Sequence, residues 1–409
     1  MKTKIILILL STLLIFCGCD SKGELRILNK GITSQSSSKS EESKTSSDKS
    51  KNVYEALNYD EQKAVWISYI ELADFLSGKD EQSFVNEFAT AIDNIKKSGF
   101  NTVYVHVRAF SDAYYDSLYY PKALILSGTD FDPLEIMLRI SHEKDISFHA
   151  WINPFRCMSE SDMQIISESY KTKEWYNENP DIIKTADDSS LYWLNPSYDE
   201  VFELICSGVK EIIENYEVDG IHFDDYFFPT PDESFDSKEF KLSNEKDLSE
   251  YRISRINKMV SEVYSTIKSE NKSVLFGLSP QGNIDNDYTS QFADVERWCS
   301  EEGYCDYITP QVYYGYESTC PYSETIVKWD DMCKSGTVKL IIGLGEYKIV
   351  SEEEFISTKG IIANMINDAK KLEKYSGVAI YNYKNLFDAD EENAARVMAE
   401  KELIEKSIK

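Results

Sequence analysis

Eight short apolar runs, each separated from the next by an amphipathic or polar stretch, constrain this chain more than any other feature. They are AVWISY (64–69), TVYVHV (102–107), ISFHAWI (146–152), GIHF (220–223), VLFGLS (274–279), YITPQV (307–312), LIIGL (340–344) and VAIYNY (378–383). Apolar strands alternating with amphipathic helices are the pattern of parallel βαβ units. Between the runs, SFVNEFATAIDNIKKSG (83–99) repeats its apolar residues at three and four and stops at Gly99. YDEVFELICSGVKEIIENY (198–216) is another such helix and leads straight into the fourth run. Eight units predict an α/β fold of the (β/α)8 TIM-barrel type, a single catalytic domain over residues 54–409 with its last helix near 391–406. Two connections are too long to be plain turns, 109–132 with the tyrosine-rich SDAYYDSLYY and 153–197 with NPFR and LYWLNPS. Long loops after strands carry specificity in this architecture. Trp175, Tyr176, Tyr192 and Trp193 in the second would either wall a cleft or pack the loop on itself.

The chain begins differently. Residues 1–18 have a basic start at Lys2 and Lys4 and an apolar run too short for a comfortable membrane span, the layout of a secretory signal. Phe16-Cys17-Gly18-Cys19 resembles a lipobox in which cleavage after Gly18 leaves Cys19 as the lipid-bearing terminus. Residues 19–53 are rich in Ser, Lys and Glu, with almost nothing apolar to bury, and read as a disordered tether. The expectation is a lipoprotein held at the outer face of the membrane, or a secreted protein if lipidation fails. Six cysteines follow Cys19, and spacing alone does not pair them; none forms a Cys-x-x-Cys motif, so no redox or zinc ribbon site is expected. No motif calls for a cofactor. With 44 Lys+Arg against 71 Asp+Glu the formal charge of -27 repels phosphates, which excludes nucleic acid as a general partner.

The chemistry concentrates in VDGIHFDDYFFPT (218–230), where the fourth run delivers two adjacent acids into an aromatic loop. In a barrel, the C-terminal ends of strands hold the active site. Side chains two apart on a strand share a face, so His222, Asp224 and Tyr226 should point one way and Ile221, Phe223 and Asp225 the other. Apolar Ile221 and Phe223 suit the helix side, which makes Asp224 the preferred axial acid. The same parity places Arg108 with His106, and Asn153 with Trp151 and His149, at the same mouth. Arg108 would hold Asp224 ionised, or lock the barrel rim; Asn153 would orient it or bind a hydroxyl. Ser279, Gln311, Tyr313, Glu346 and Tyr383 are further candidates from later strand ends. Cleavage of a glycosidic bond needs two carboxyls. Asp224 supplies one, and Asp225 or Glu346 ranks ahead of Glu71 for the other. A rival class is a metal-dependent hydrolase or deacetylase, with His106, His149 and His222 as zinc ligands; another is a barrel that binds glycan without cleaving it.

These residues carry a family resemblance. VDGIHFDDYFFP, preceded by WLNP (193–196) and followed by GLSPQGN (277–283), DYITPQVYY (306–314) and GLGEYK (343–348), resembles glycosyl-hydrolase-like family 10. AVWISYIEL (64–72), VRAFSDAYY (107–115) and HAWINPFR (149–156) resemble the blocks that precede them in that family. The resemblance covers roughly residues 60–385. It implies a TIM-barrel glycoside hydrolase, exported or lipid-anchored, acting on a polysaccharide, with peptidoglycan glycan strands, stripped of stem peptides in one relative, as the substrate class. It also implies that Asp224 and Asp225 form the acidic centre, with Arg108, Asp112, Asn153, Gln311 and Tyr313 lining the cleft. DGIHFDDY is similar, more loosely, to family 18 chitinases, but Tyr226 stands where that motif has its acid.

Overall fold

Each of the eight apolar runs forms a barrel strand in the computed structural model, which describes residues 54–186, 189–334 and 336–409. In chain order the strands are β1 (Gln62–Ile67), β2 (Thr102–Arg108), β3 (Ser147–Ile152), β4 (Arg156–Ser159), β5 (Ile183–Thr185), β6 (Leu191–Leu194), β7 (Gly220–Phe223), β8 (Leu275–Leu278), β9 (Tyr307–Ile308), β10 (Lys339–Gly345) and β11 (Tyr375–Tyr381). β1, β2, β3, β7, β8, β9, β10 and β11 close in that order into a parallel barrel, as the spacing predicts. The sixth barrel strand is short because Pro310 supplies no ladder donor; beyond it Gln311 makes only isolated bridges, to Gln281 and Gly343. The expected signal segment, Cys19 and the tether lie outside the described residues.

The outer helices follow from local sequence. The helix Glu81–Lys97 starts where Asp80 accepts the Ser83 backbone N–H at 2.9 Å, and it buries Phe84, Phe88, Ala91, Ile92 and Ile95 against the strands. The helix Asp199–Asn215 buries Val201, Phe202, Ile205, Val209 and Ile212 in the same way. The last helix, Ala394–Ile408, lies close to its expected place.

Polar and aromatic side chains fill the barrel. Strand register sets Tyr104, His149 and Gly220 at one level and His106, Trp151, His222 and Gly277 at the next. Gly220 and Gly277 are obligatory there, because a Cβ on the first would collide with the His149 ring and one on the second with the Tyr307 ring. A directed hydrogen-bond chain runs down the axis. Trp66 Nε1 donates to His222 Nε2 (3.1 Å), and Tyr307 Oη lies 3.0 Å from His222 Nδ1 and 2.7 Å from His149 Nδ1. His149 Nε2 meets Asn58 Oδ1 at 3.2 Å. Residues 54–59 thus close the barrel at the N-terminal ends of its strands. There the buried Asp219 side chain accepts from Tyr54 Oη and Leu57 N (2.6 Å each) and from Phe148 N (2.7 Å).

The two long connections differ. Residues 109–132 are irregular apart from a short 3-10 turn at Leu124–Leu126. Residues 153–197, expected as a loop, contain a small antiparallel sheet in the order β4-β6-β5. The six cysteines after Cys19 are free thiols. No helix among the described residues is long and apolar enough to cross a membrane.

Candidate active site

The cavity at the C-terminal ends of the strands has a volume of about 320 Å³, and Asp224 and Asp225 line it together. Alternation alone would separate them, but β7 ends at Phe223 and the pleat stops constraining direction beyond it. Asp224, 3% exposed, turns toward β3, where Trp151 Nε1 donates to its Oδ2 at 3.1 Å. Asp225 turns the other way, past β8, where Gln311 Nε2 donates to its Oδ1 at 3.1 Å and anchors itself on the Ser279 carbonyl. Burial is the main force raising both carboxyl pKa values, and the Asp225 charge adds to it, so that Asp224 is pushed up to about 8. The nearby Arg156 pulls both back only in part. Burial therefore favours the protonated form of the pair, most strongly at the more deeply buried Asp224.

Trp151, Tyr226, Gln311 and Tyr313 also line this cavity, as expected. Tyr313, Tyr347 and Tyr381 meet edge-on or tilted at ring separations of 5.9–6.2 Å and form an aromatic wall, which Trp66 extends from below. Other expected residues support the site from behind. His222 is buried beneath Trp66, and Trp193 packs its ring 5.8 Å from that of Tyr226. Ser279 is buried and donates to the Thr309 carbonyl. Asn153 receives His106 Nε2 and donates to the Ala109 carbonyl. Trp175 is buried and Tyr176 meets Tyr192 edge-on, so that part of the second long connection packs on itself.

Several expectations move elsewhere. The ladder slips between His106 and Arg108, so Arg108 loses its parity and points out of the barrel. Its guanidinium lies 4.0 Å over the Tyr120 ring, against Gly208 of the outer helix. Asp112 caps its own loop, accepting the backbone N–H groups of Ala109 and Phe110. Glu346 begins a 3-10 turn after β10, is fully buried and does not line the cavity of Asp224 and Asp225; burial and the charge of Glu400, on the last helix, raise its pKa. Tyr383 does not line the cavity and accepts from Asn94 Nδ2 at 3.2 Å, and Glu71 closes a capping box with Ser68. None of these carboxyls is the partner of Asp224.

Three residues that parity reasoning passed over matter here. Arg156, in the HAWINPFR block, is the cation that lines the cavity. Tyr347 and Tyr381 complete the wall. The signal for Arg156 lay in the tight turn that returns the chain over the mouth after β3, which no strand periodicity encodes. The three axial histidines hold no ligand set. His106 takes the Tyr69 N–H on Nδ1, and the ring nitrogens of His149 and His222 are committed as described above. Burial lowers the pKa of all three, that of His149 to about 4, so they remain neutral hydrogen-bonding groups.

The glycosyl hydrolase-like 10 family model matches residues 61–357, a span that includes the barrel through β10 and both acids. The chain belongs to this family. It is 30% identical over 321 residues to the glycosyl hydrolase YngK of Bacillus subtilis, covering 71% of this chain and 61% of that protein. It is 29% identical over 315 residues to the glycosyl hydrolase DigH of Escherichia coli, covering 68% of this chain and 70% of that one. Among solved structures, the glycoside hydrolase domain of PgaB (BpsB) from Bordetella bronchiseptica superposes with a TM-score of 0.57 at 10% identity, covering 84% of this chain and 98% of that domain. The α-L-fucosidase isoenzyme 2 of Paenibacillus thiaminolyticus gives 0.55 at 11% identity, over 85% of this chain and 49% of that one. At such identities the likeness is one of fold.

Proposed function

We propose that this protein hydrolyses glycosidic bonds in bacterial cell-wall glycan, the peptidoglycan strands, including strands stripped of stem peptides. The observation that carries the reading is the pair of carboxyls diverging into one aromatic-walled cavity, in which burial pushes Asp224 toward its protonated form. Asp224, held by Trp151, donates its proton to the departing glycosidic oxygen. Asp225, oriented by Gln311, is the carboxylate that attacks the sugar or draws the proton from the attacking water. The tyrosine wall offers apolar faces to sugar rings. Family membership and the glycosyl hydrolase names of the relatives support the same chemistry. The signal-like start, Cys19 and the tether-like composition of 19–53 support a site of action outside the cytoplasm, with the protein lipid-anchored.

The test is incubation of the purified chain from residue 20 with native and with peptide-stripped sacculi, reading soluble glycan and new reducing ends by mass spectrometry. The wild type should release fragments from at least one substrate. Asp224→Asn and Asp225→Asn should each lower kcat/KM by ~10³-fold. Release from neither substrate by the wild type would overturn the reading.

A further inference from the structure

Asp287 is a fully buried acid outside the cavity, on the short helix Ile284–Thr289. Its Oδ1 accepts the backbone N–H of Gln281 at 3.0 Å, and its Oδ2 has no hydrogen-bond partner among the described residues. The one hydrogen bond of this side chain therefore goes to the loop that follows β8. That loop is tied at three successive residues. The Pro280 carbonyl accepts from Gln311 N at 2.9 Å, Gln281 N donates to Asp287, and the Gly282 carbonyl accepts from Trp329 Nε1 at 3.0 Å. Gln281 also bridges Gln311, and its side chain reaches Asp225, where it joins the amide that Gln311 donates. Asp225 is thus held by two amide side chains, and Asp287 fixes the backbone of one of them from behind.

A buried carboxyl with a free oxygen is costly, and a native fold that keeps one calls for a reason. Burial pushes Asp287 well above the ordinary carboxylate range; the Gln281 N–H offsets this in part, and the Asp225 charge adds to it. The other titratable groups that face it are the Cys299 thiol, on the helix Val295–Ser300, and the Tyr314 hydroxyl, beyond β9, and neither is a cation. Burial therefore favours the neutral form of Asp287, which acts by geometry rather than by charge. An amide side chain orients a carboxylate only when its own backbone is held, and an error of about 1 Å near the reacting atoms costs up to ~100-fold in rate. We propose that Asp287 is a positioning residue, which clamps the backbone of Gln281 so that the Gln281 side chain aims the Asp225 carboxylate at the sugar or the attacking water. The assignment rests on the glycan-hydrolase reading for the step it serves. A staple of the loop would change stability alone, whereas a positioning residue also changes the turnover and the titration of Asp225.

The test compares the wild type with Asp287→Ala, which removes the acceptor of the Gln281 N–H, with Asp287→Asn, which keeps it, and with Gln281→Ala, which removes only the side chain that reaches Asp225. On glycan that the wild type digests, Asp287→Ala and Gln281→Ala should each lower kcat by ~10–100-fold with KM within ~2-fold. The two changes combined should lose no more than either alone, because they break one chain of contacts. Asp287→Asn should recover most of the lost turnover. A readout that needs no turnover is the titration of the Asp225 carboxyl, followed by carboxyl-carbon NMR as the resonance missing from Asp225→Asn. The Gln281 contact lowers the Asp225 pKa, so losing it should raise the midpoint by ~1 pH unit in both alanine variants, and Asp287→Asn should return it to the wild-type place. Should Asp287→Ala fail to fold, the contrast between Asp287→Asn and Gln281→Ala decides by the same two readouts. An unmoved midpoint in the alanine variants, additive losses in the double variant, or an Asp287→Asn chain as slow as Gln281→Ala would overturn the proposal. Midpoints that move as expected in a protein whose wild type releases no glycan would instead remove the hydrolase reading and leave the positioning of Asp225 standing.

Discussion

Asp224 and Asp225 are neighbours in sequence but hang from different supports, Trp151 on β3 and Gln311 beyond β9, and their titration follows from that arrangement. With Asp224 pushed up to about 8, loss of its proton should remove the acid, so log(kcat/KM) should fall on the alkaline side with an apparent pKa near 8. A flat profile between pH 6 and 9.5 would contradict the acid role. Stability should shift with pH as well. An unfolded aspartate titrates near ~3.9. The folded state therefore binds this proton more tightly than the unfolded one, and wild-type stability is lost as pH rises from the unfolded value through about 8. Asp224→Asn removes the penalty. In urea titrations the variant should be more stable than wild type by ~2 kcal/mol at pH 8.5, with the gap closing toward pH 4. Alternation along GIHF points Asp224 to the mouth, where it lines the cavity, but it does not foresee that Asp225, beyond the end of the strand, lines the cavity too. It misplaced Arg108, because one slip of register between His106 and Arg108 reverses the face of everything after it. It could not see Arg156, which reaches the cavity through a turn.

At the scale of the element, the 3-10 turn Glu346–Val350 carries a carboxyl that sequence ranked as a catalytic partner. Glu346 is instead sealed with neither oxygen hydrogen-bonded, and burial with Glu400 nearby raises its pKa to about 8. Replacing it with an apolar side chain of similar length removes an uncompensated buried polar group. Glu346→Met should stabilise the fold by ~1–3 kcal/mol and leave kcat/KM within twofold, measured by urea unfolding and glycan release; a large loss of activity would return Glu346 to the mechanism. The opposite sign is expected in β8. Gly277→Ala drives a methyl into the Tyr307 ring at the centre of the axial hydrogen-bond chain. Overpacking of this kind should lower stability by ~1–3 kcal/mol, seen as a reduced urea midpoint at unchanged slope. The strand runs were legible because each is a nearly continuous apolar segment buried on both faces. The small β4-β6-β5 sheet was not, since strands of three or four residues have too short a period to stand out from a loop.

The described residues form a barrel with an acidic cavity at one end and a closed end opposite, and the closed end depends on residues that precede the first strand. Counting eight apolar runs was enough to predict closure, because a parallel sheet of eight alternating units has no free edge only when it curls on itself. The part played by Tyr54–Tyr59 was not legible, since no periodicity marks a segment that works by single hydrogen bonds. Asp219 is wholly buried at the start of β7, and two of its acceptor contacts come from this segment, through Tyr54 Oη and Leu57 N. Asn58 adds donors to the carbonyls of Asp219 and Ser273 and meets His149 at the foot of the axial chain. A chain starting at residue 60 strips those partners from buried polar groups, each of which costs about 1–3 kcal/mol when left unsatisfied. It should unfold with a total loss of ~3–5 kcal/mol, whereas a chain starting at residue 54 should match one starting at residue 20 within ~0.5 kcal/mol. Asp219→Asn in the longer chain should fall between them, because the amide keeps one acceptor but presents a donor to the N–H of Phe148 or Leu57. If the chain from residue 60 proved as stable as the other two, the segment would be an ornament on the barrel and the functional domain would begin at β1.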